Sequence, residues 1–314
     1  MIEHISFPKI AQFRNVITEI THASRYDGKD ELGNPIYNNV KLPILTWIGT
    51  VKLHGTNAGI VLHDGEIYAQ SRSRILSIQN DNYGFAAYVE STKDYWKNKL
   101  SELNMGSCVV FGEWAGPGIQ SDVGISQINE CAFFPFSLYK FTNNQNKVCV
   151  DNWLWDDRNY ENKSYPVKSF EHYSINIDMN HPQLAQNKLI HFTEKIEEQC
   201  PIARSFNIEG VGEGIVWTTI YKDQIYRFKV KGEKHSVSKV KTLASVNPEQ
   251  LKSIVEFVEY AVTDRRIEQG MQEIWGTNPI NRGNTGDFLR WIANDIISEE
   301  TDTLISNGLI WTRS

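Results

Sequence analysis

The sequence lacks paired cysteines. Its four cysteines lie far apart and include no CxxC pair, which excludes a structural zinc finger and favours a reducing compartment. No stretch approaches the roughly 18 consecutive apolar residues of a membrane-spanning helix. The first residues contain no apolar core of signal-peptide length either. We therefore expect a soluble, cytoplasmic protein (in the host cytoplasm for a phage-encoded chain) with no membrane partner.

The sequence also lacks the excess of positive charge that is common in proteins that bind nucleic acid. Its 32 lysines and arginines and 38 aspartates and glutamates give a net charge of −6. The negative charge is uneven, because residues 245–314 hold 6 basic and 11 acidic residues. Residues 222–241 instead hold seven basic and two acidic residues. This basic strip is a candidate surface for phosphates, although a solvated strand face would have the same composition.

Short apolar or alternating runs predict strands through the middle of the chain. Asp64-Gly65 separates two such runs and predicts a tight hairpin. The predicted strands are residues 45–51, 57–63, 66–71, 108–113, 131–141, 214–221 and 224–231. Helices are predicted within residues 8–20, 84–100 and 167–206, and a loop at residues 25–42. Strands of antiparallel type with helices inserted between them favour an α+β fold.

The composition changes near residue 244. Asn247-Pro248 has the pattern of a helix start, apolar residues at helical spacing follow it, and a second helical pattern begins at about Asp287. We therefore predict two domains. Residues 1–243 carry the strands, and residues 244–314 form a small, acidic, all-helical domain.

Lys52 ends a predicted strand in the segment VKLHGTN, and Gly55 marks the turn that follows. A lysine is a nucleophile only when it is neutral, and its ordinary pKa is about 10.4. Burial or neighbouring positive charge must therefore lower the pKa of Lys52 before this residue can attack an electrophile. Taken alone, the pattern fits a surface lysine before an ordinary turn better.

Two glutamates stand at unusual places at the ends of strands. Glu113 lies between a hydrophobic strand and a Gly/Pro turn, a position suited to binding a ribose hydroxyl or a metal through water. Glu213 lies between Gly212 and Gly214 before an apolar strand, which suits a divalent metal near phosphate. At either position, an ordinary glutamate that caps or solubilises a turn is about as good an explanation as a ligand-binding role.

Lys229 and Lys231 alternate with Phe228 and Val230, so both ammonium groups lie on one face of a strand. Such a pair can neutralise a triphosphate, and it would lower the pKa of Lys52 if that lysine lay close by. An amphipathic edge strand shows the same alternation. Together, a lysine nucleophile, two carboxylates, two phosphate-facing lysines and aromatic strands are the parts that nucleotidyl transfer requires.

These motifs, in this order, resemble those of the covalent nucleotidyltransferase superfamily of ligases and mRNA capping enzymes, and most closely the RNA ligase 2 family. The resemblance covers residues 45–241. DNA ligases and capping enzymes usually carry aspartate where His54 stands, so this residue favours the RNA branch. The matching segments are KLHGTN from Lys52, QSRSR with Arg72, FGEWAGPGIQ with Glu113, EGIV from Glu213 and KVK from Lys229.

The resemblance implies an adenylyltransferase domain that uses ATP and Mg²⁺ or Mn²⁺. It implies that Glu213 contacts the metal, and that an aromatic residue of FFPFSLY stacks on adenine, with Phe136 preferred over Phe134. The implied catalytic residues are Lys52, Lys229 and Lys231. The implied cofactor-binding residues are Lys52, Leu53, His54, Gly55, Asn57, Arg72, Glu113, Phe136, Glu213, Lys229 and Lys231.

The implied activity is the joining of RNA 3′-OH and 5′-phosphate ends, in a nicked duplex or in single strands, by a monomer that passes through lysyl-AMP and an adenylylated RNA 5′ end. The sequence departs from the family at Val51, where glutamate is common, and at Ser137, where aspartate is common. The alternatives are a DNA ligase or a GTP-dependent capping-type enzyme of the same superfamily. A protein that binds nucleic acid without catalysis is a third hypothesis.

Overall fold

The computed structural model describes residues 3–104, 106–141, 147–150, 157–232, 257–258, 261–276 and 279–306. These residues contain both helices and antiparallel strands, which agrees with the predicted α+β fold. The strands are β1 (Tyr26–Lys29), β2 (Pro35–Tyr37), β3 (Ile44–Lys52), β4 (Thr56–His63), β5 (Glu66–Ser71), β6 (Cys108–Ala115), β7 (Ala132–Phe141), β8 (Lys147–Cys149), β9 (Tyr173–Asp178), β10 (Gly214–Tyr221) and β11 (Gln224–Lys231). The α-helices are α1 (Phe13–Arg25), α2 (Phe85–Ser91), α3 (Lys93–Glu102), α4 (Gln186–Glu198), α5 (Pro201–Ser205), α6 (Asp264–Trp275) and α7 (Thr285–Ser306).

The longer strands form two antiparallel sheets. The first sheet has the order β11-β10-β3-β9, the second has the order β5-β4-β6-β7-β8, and β1 and β2 pair in a separate ribbon. The hairpin predicted at Asp64-Gly65 is confirmed, since it joins β4 to β5. Asp64 and Gly65 have φ angles of 50° and 76°, the left-handed values that a two-residue hairpin turn favours.

Alternation along the strands of the first sheet decides which side chains reach the core. Trp47 of β3, Trp217 of β10 and Phe228 of β11 are completely buried, and helices α1 and α4 contact this side of the sheet. The residues between them point to the other side. Lys52 and Lys229 lie on that second side, where the sheet borders a cleft.

The predicted boundaries near the N-terminus are wrong. The helix predicted within residues 8–20 begins only at Phe13, as α1. The segment before it runs beside the edge strand β11, where the backbone N–H of Lys229 donates to the carbonyl of Ala11 at 3.3 Å. The loop predicted at residues 25–42 contains the ribbon β1–β2. Short-range spacing cannot reveal pairing with a strand that lies more than 200 residues away.

Two helical predictions in the middle of the chain are only partly right. The helix expected over residues 84–100 is divided at Thr92 into α2 and α3. Residues 167–206 contain α4 and α5 as predicted, but also the strand β9. Ile175 and Ile177 of β9 alternate with polar residues and are buried, so a period-two signal was present and was overlooked.

The described part of the C-terminal region is helical. Helix α7 includes the helix predicted from about Asp287, whereas α6 was not predicted. The helix predicted after Asn247-Pro248 lies largely outside the described residues. Arg266 of α6 is completely buried and contacts Asp295 of α7 at 2.9 Å, which joins the two helices. Among the described residues, no helix combines the length and apolar character needed to cross a membrane.

Candidate active site

A cleft of about 1320 Å³ borders the face of the first sheet that is turned away from the core. Residues of both sheets, of the segment before α1, and of helices α6 and α7 line this cleft. The cofactor-binding residues predicted from the sequence all lie on its wall: Lys52, Leu53, His54, Gly55, Asn57, Arg72, Glu113, Phe136, Glu213, Lys229 and Lys231. Folding therefore brings together in one cavity segments that are up to 180 residues apart in the chain.

The register of the first sheet brings Lys52, Glu213 and Lys231 together. Gly214 of β10 pairs with Lys52 on one side and with Lys231 on the other, so the preceding Glu213 reaches both lysines. Glu213 Oε2 lies 2.6 Å from Lys52 Nζ, and Glu213 Oε1 lies 2.9 Å from Lys231 Nζ. Gly214 has a φ of 155°, and a Cβ there would lie 2.2 Å from the Val230 carbonyl oxygen, so this position requires glycine.

The charges in this cluster decide the protonation of Lys52. Burial alone would raise the pKa of Glu213, but Lys231 and Lys52 outweigh it and hold this pKa well below its usual range. Burial also acts on Lys52, but the carboxylates of Glu213 and Glu113 outweigh it and raise the pKa of Lys52 above its ordinary value. The expectation that the pKa of Lys52 is lowered is therefore wrong for this structure, because Glu213 binds Lys52 directly.

Glu113 lies on β6 of the second sheet. Its Oε1 accepts a hydrogen bond of 3.0 Å from the backbone N–H of Gly55. A Cβ at Gly55 would lie 2.4 Å from the Trp114 carbonyl oxygen, so the turn after Lys52 can approach β6 this closely only with glycine. Burial raises the pKa of Glu113 to about 7, against the opposing charge of Lys52. This carboxyl group therefore exchanges its proton near neutral pH.

Two aromatic residues were candidates for stacking on the adenine base, and they occupy different environments. Phe134 is completely buried in the main core cluster, whereas Phe136 is half-buried and lines the cleft. The ring of Phe7 packs edge-on against Phe136 with 5.1 Å between ring centroids, and this contact holds the half-buried Phe136 ring in place. Asn57 also lines the cleft, and its buried Oδ1 has no hydrogen-bond partner among the described residues. This oxygen suits an N–H donor of a ligand.

Lys229 and Arg72 each lie near an acidic residue of the C-terminal helices. Lys229 Nζ lies 2.9 Å from Glu299 Oε1 of α7, and Lys9 Nζ lies 3.4 Å from the same oxygen. Burial raises the pKa of Glu273 of α6, and the charge of Arg72 acts against this shift. The sequence motifs had not indicated Lys9, Glu299 or Glu273, because single charged residues outside a motif carry no recognisable signal.

The predicted metal ligand, Glu213, has both carboxylate oxygens bound by ammonium groups. Within the part of the chain that the structure describes, no group of three or more His, Cys, Asp or Glu side chains could hold a metal ion. In phosphoryl-transfer sites, however, Mg²⁺ is commonly held by one or two carboxylates together with substrate phosphates and water. The residues therefore fit a divalent ion that would be held by the Glu213 carboxylate together with nucleotide phosphates and water.

The protonation of Lys52 leads to a testable expectation for the protein without nucleotide. Because its pKa is raised, the neutral fraction of Lys52 should increase about tenfold per pH unit from pH 7 to pH 10. Labelling of Lys52 with a small amine-reactive ester, followed by mass spectrometry, should show this increase without a plateau. In Glu213→Gln the rate at pH 8 should be higher by roughly tenfold. The exposed Lys97 should label equally in both proteins, and a plateau for Lys52 below pH 9 would contradict the expectation.

Comparisons with known proteins agree with the motifs. A family model described as RNA ligase matches residues 45–241. The chain is also similar to solved structures of an RNA ligase of Naegleria gruberi. A mutant with ATP and Mn has 15% sequence identity and a TM-score of 0.46, and the structure with PPi has 17% and 0.46. Both matches cover 74% of this chain but only 57% of the Naegleria chain.

This chain thus spans little more than half the length of those structures. At such low identity and TM-score, the likeness does not extend to ligands or substrates. The family model, in contrast, spans more than half of this chain and includes the motif residues of the cleft, namely Lys52, Glu113, Glu213, Lys229 and Lys231. The chain belongs to the RNA ligase family.

Proposed function

We propose that this chain is an ATP-dependent RNA ligase that works through a covalent lysyl-AMP intermediate. In the first step, Lys52 Nζ releases its proton to solvent and attacks the α-phosphate of ATP as a neutral amine. A P–N bond forms, the P–O bond to pyrophosphate breaks, and the nitrogen gives up a further proton. The AMP group then passes to an RNA 5′-phosphate, which frees Lys52. In the third step, an RNA 3′-OH attacks the activated 5′-phosphate, and AMP leaves as the phosphodiester forms.

The observation that carries this proposal is the cluster of Lys52, Glu213 and Lys231 inside a nucleotide-sized cleft. The turn that follows Lys52 is bound by Glu113, whose Oε1 accepts a hydrogen bond of 3.0 Å from the N–H of Gly55. Lys231 would remain charged beside the phosphates and stabilise the negative charge that develops on them. Fixed geometry of this kind favours attack by one defined amine.

The remaining cleft residues support a nucleotide in a defined orientation. Phe136 offers a ring face for the adenine base, and the buried Oδ1 of Asn57 offers an acceptor for an N–H of the ligand. Glu113, with its pKa of about 7, would accept ribose hydroxyl hydrogens, and Arg72 would contact the ribose and the RNA end. A divalent ion held at Glu213, Mg²⁺ or Mn²⁺, would neutralise the phosphates when bound.

The proposal is tested by incubating the protein with ATP labelled at the α-phosphate and with Mg²⁺ or Mn²⁺. We expect a covalent adduct with ATP and little with GTP, because the resemblance assigns Phe136 to stacking on adenine. A preference for GTP would favour a capping-type enzyme. RNA binding without any adduct would favour a protein that binds nucleic acid without catalysis.

The polynucleotide substrate is tested separately in sealing assays. The protein should join RNA 3′-OH ends to 5′-phosphate ends, and the comparison should include a nicked duplex, a single strand and the same ends made of DNA. A preference for DNA 3′-OH ends would favour the DNA ligase alternative. Removal of residues 245–314 tests the proposed division into residues 1–243 and 244–314, and we expect this deletion to reduce sealing more than adduct formation.

A further inference from the structure

Two ammonium groups from distant parts of the chain meet at one oxygen atom in the cleft. Glu299 Oε1 lies 2.9 Å from Lys229 Nζ and 3.4 Å from Lys9 Nζ. Lys9 belongs to none of the motifs in the sequence. Its segment is held beside β11, because the backbone N–H of Lys229 donates to the carbonyl of Ala11 at 3.3 Å. Backbone pairing therefore fixes the two lysines as neighbours.

The surroundings of this oxygen strongly favour an anion. The side chain of Glu299 is 9% exposed, and burial by itself would raise its pKa. The charges of Lys229 and Lys9 outweigh the burial and bring the pKa of Glu299 to about 2. Because the same site lies on the wall of the candidate nucleotide cleft, a phosphate oxygen of a substrate would find the same two ammonium groups there.

We propose that Lys9 and Lys229 form a phosphate-binding pair, and that the carboxylate of Glu299 occupies this pair until a substrate phosphate replaces it. The sequence already predicts a phosphate contact for Lys229, so the new assignments are Lys9 and Glu299. The inference rests on the proposed function only for the source of the phosphate, which is either the triphosphate tail of ATP or the polynucleotide. Phosphate binding and the docking of helix α7 are then coupled, because the two oxyanions exclude each other.

The contacts around Glu299 make such an exchange possible without unfolding the C-terminal helices. Gln12 Nε2 donates to the main-chain carbonyl of Glu299, and Lys9 donates to Ser298 Oγ, so the segment before α1 holds this turn of α7 independently of the carboxylate. The buried Arg266 joins α7 to α6 through Asp295. A Glu299→Gln variant keeps the shape of the side chain and loses only its negative charge.

The test measures the binding of inorganic tripolyphosphate to the full-length protein by titration calorimetry, without divalent ions. Glu299→Gln should bind tripolyphosphate about threefold to tenfold more tightly than the wild type, because the competing anion is gone. Lys9→Ala is then introduced into the Glu299→Gln protein, where no competitor remains. There it should weaken binding by a similar factor, because one of the two cations is missing.

Two matched controls separate this effect from a change in net charge. Asp287→Asn removes one negative charge from an exposed position on the same helix, where Asp287 pairs with Arg290 at 2.8 Å. Lys97→Ala removes a lysine of similar exposure that pairs with Glu66 far from the cleft. Both controls should change tripolyphosphate affinity less than twofold.

The inference is overturned if, with both tripolyphosphate and a 5′-phosphorylated RNA oligonucleotide, Glu299→Gln and Asp287→Asn change binding equally or Lys9→Ala behaves like Lys97→Ala. Lys9→Ala and Lys97→Ala are both measured within the Glu299→Gln protein, so any effect of that substitution on α7 is common to the two lysine variants. A parallel titration with a 5′-phosphorylated RNA oligonucleotide identifies the source, since a response with RNA alone assigns the pair to the polynucleotide. Because no adduct is needed, a protein that responds in these titrations but never forms lysyl-AMP would refute the proposed function and leave this inference intact.

Discussion

Replacing Lys52 by arginine should abolish the covalent AMP adduct, with a loss of more than about a thousandfold in the rate of labelling. Arginine keeps the positive charge, and it can still pair with Glu213, whose carboxylate lies 2.6 Å from the present ammonium group. The guanidinium cannot lose its proton in a protein, however, so it offers no nucleophile. The measurement is transfer of label from α-labelled ATP to the protein, resolved by denaturing electrophoresis.

The same variant separates the first step of the reaction from the third. Lys52→Arg should retain some sealing of RNA that already carries an adenylylated 5′ end, because this step needs no lysyl-AMP. Lys97→Arg, on the exposed surface of α3, is the matched control and should form the adduct at the wild-type rate. An adduct that persists in Lys52→Arg would place the nucleophile elsewhere and refute the proposed mechanism.

Replacing Glu213 by glutamine should lower the free energy of unfolding by about 3–5 kcal/mol, the cost of removing one partner from a buried ion pair. The Glu213 side chain is 4% exposed, and those of Lys52 and Lys231 are 23% and 11% exposed, so two ammonium groups would lose their counter-charge with little water to replace it. Urea unfolding near neutral pH measures the change. Adduct formation should also fall, since the phosphates lose the implied metal ligand.

The exposed Glu66 provides a control with the same local chemistry. It also contacts two lysines, Lys97 at 3.2 Å and Lys93 at 3.3 Å, but its side chain is 50% exposed. Glu66→Gln should therefore cost less than about 1 kcal/mol. If Glu213→Gln costs no more than Glu66→Gln, burial does not strengthen the cluster as proposed.

The pH dependence of this difference follows from the lowered pKa of Glu213. The folded protein keeps this carboxylate ionised well below the ordinary value of 4.5, so it contributes stability that is fully present above about pH 4.5 and is lost as the pH falls further. The stability gap between the wild type and Glu213→Gln, measured by urea unfolding, should be fully developed at about pH 5, where the Glu213 carboxylate is ionised in both the folded and the unfolded chain. It should shrink below pH 4.5.

The strands that carry the motifs could be predicted from the sequence. The apolar alternation predicted the bounds of β10 and β11, and Asp64-Gly65 predicted the hairpin between β4 and β5. Both signals could be recognised because they depend only on neighbours in the chain. The order of the motifs around Lys52 and Glu113 was sufficient to indicate the family that the matching model over residues 45–241 supports. These features are local, and local spacing is what a sequence displays directly.

Other features could not be predicted, because they depend on contacts between distant segments. The segment at Ala11 pairs with β11, but the sequence predicted a helix there. Helical spacing is visible in the sequence, whereas a distant edge strand is not. The resemblance already preferred Phe136 over Phe134 for stacking, but the different environments of the two rings needed the fold. Only the packing of both sheets reveals that one ring is completely buried and the other lines the cleft.

The sequence by itself determined which residue types are available: a lysine before a glycine turn, two glutamates at strand ends and a pair of alternating lysines. Tertiary structure decided how their charges combine. The register of three strands places Glu213 between Lys52 and Lys231, so the pKa of Lys52 is raised where the sequence had suggested that it would be lowered. It also brings Glu299 to Lys229 and Lys9. The physical reason is that electrostatic interactions depend on distance and burial in the folded protein, and neither can be read from positions along the chain.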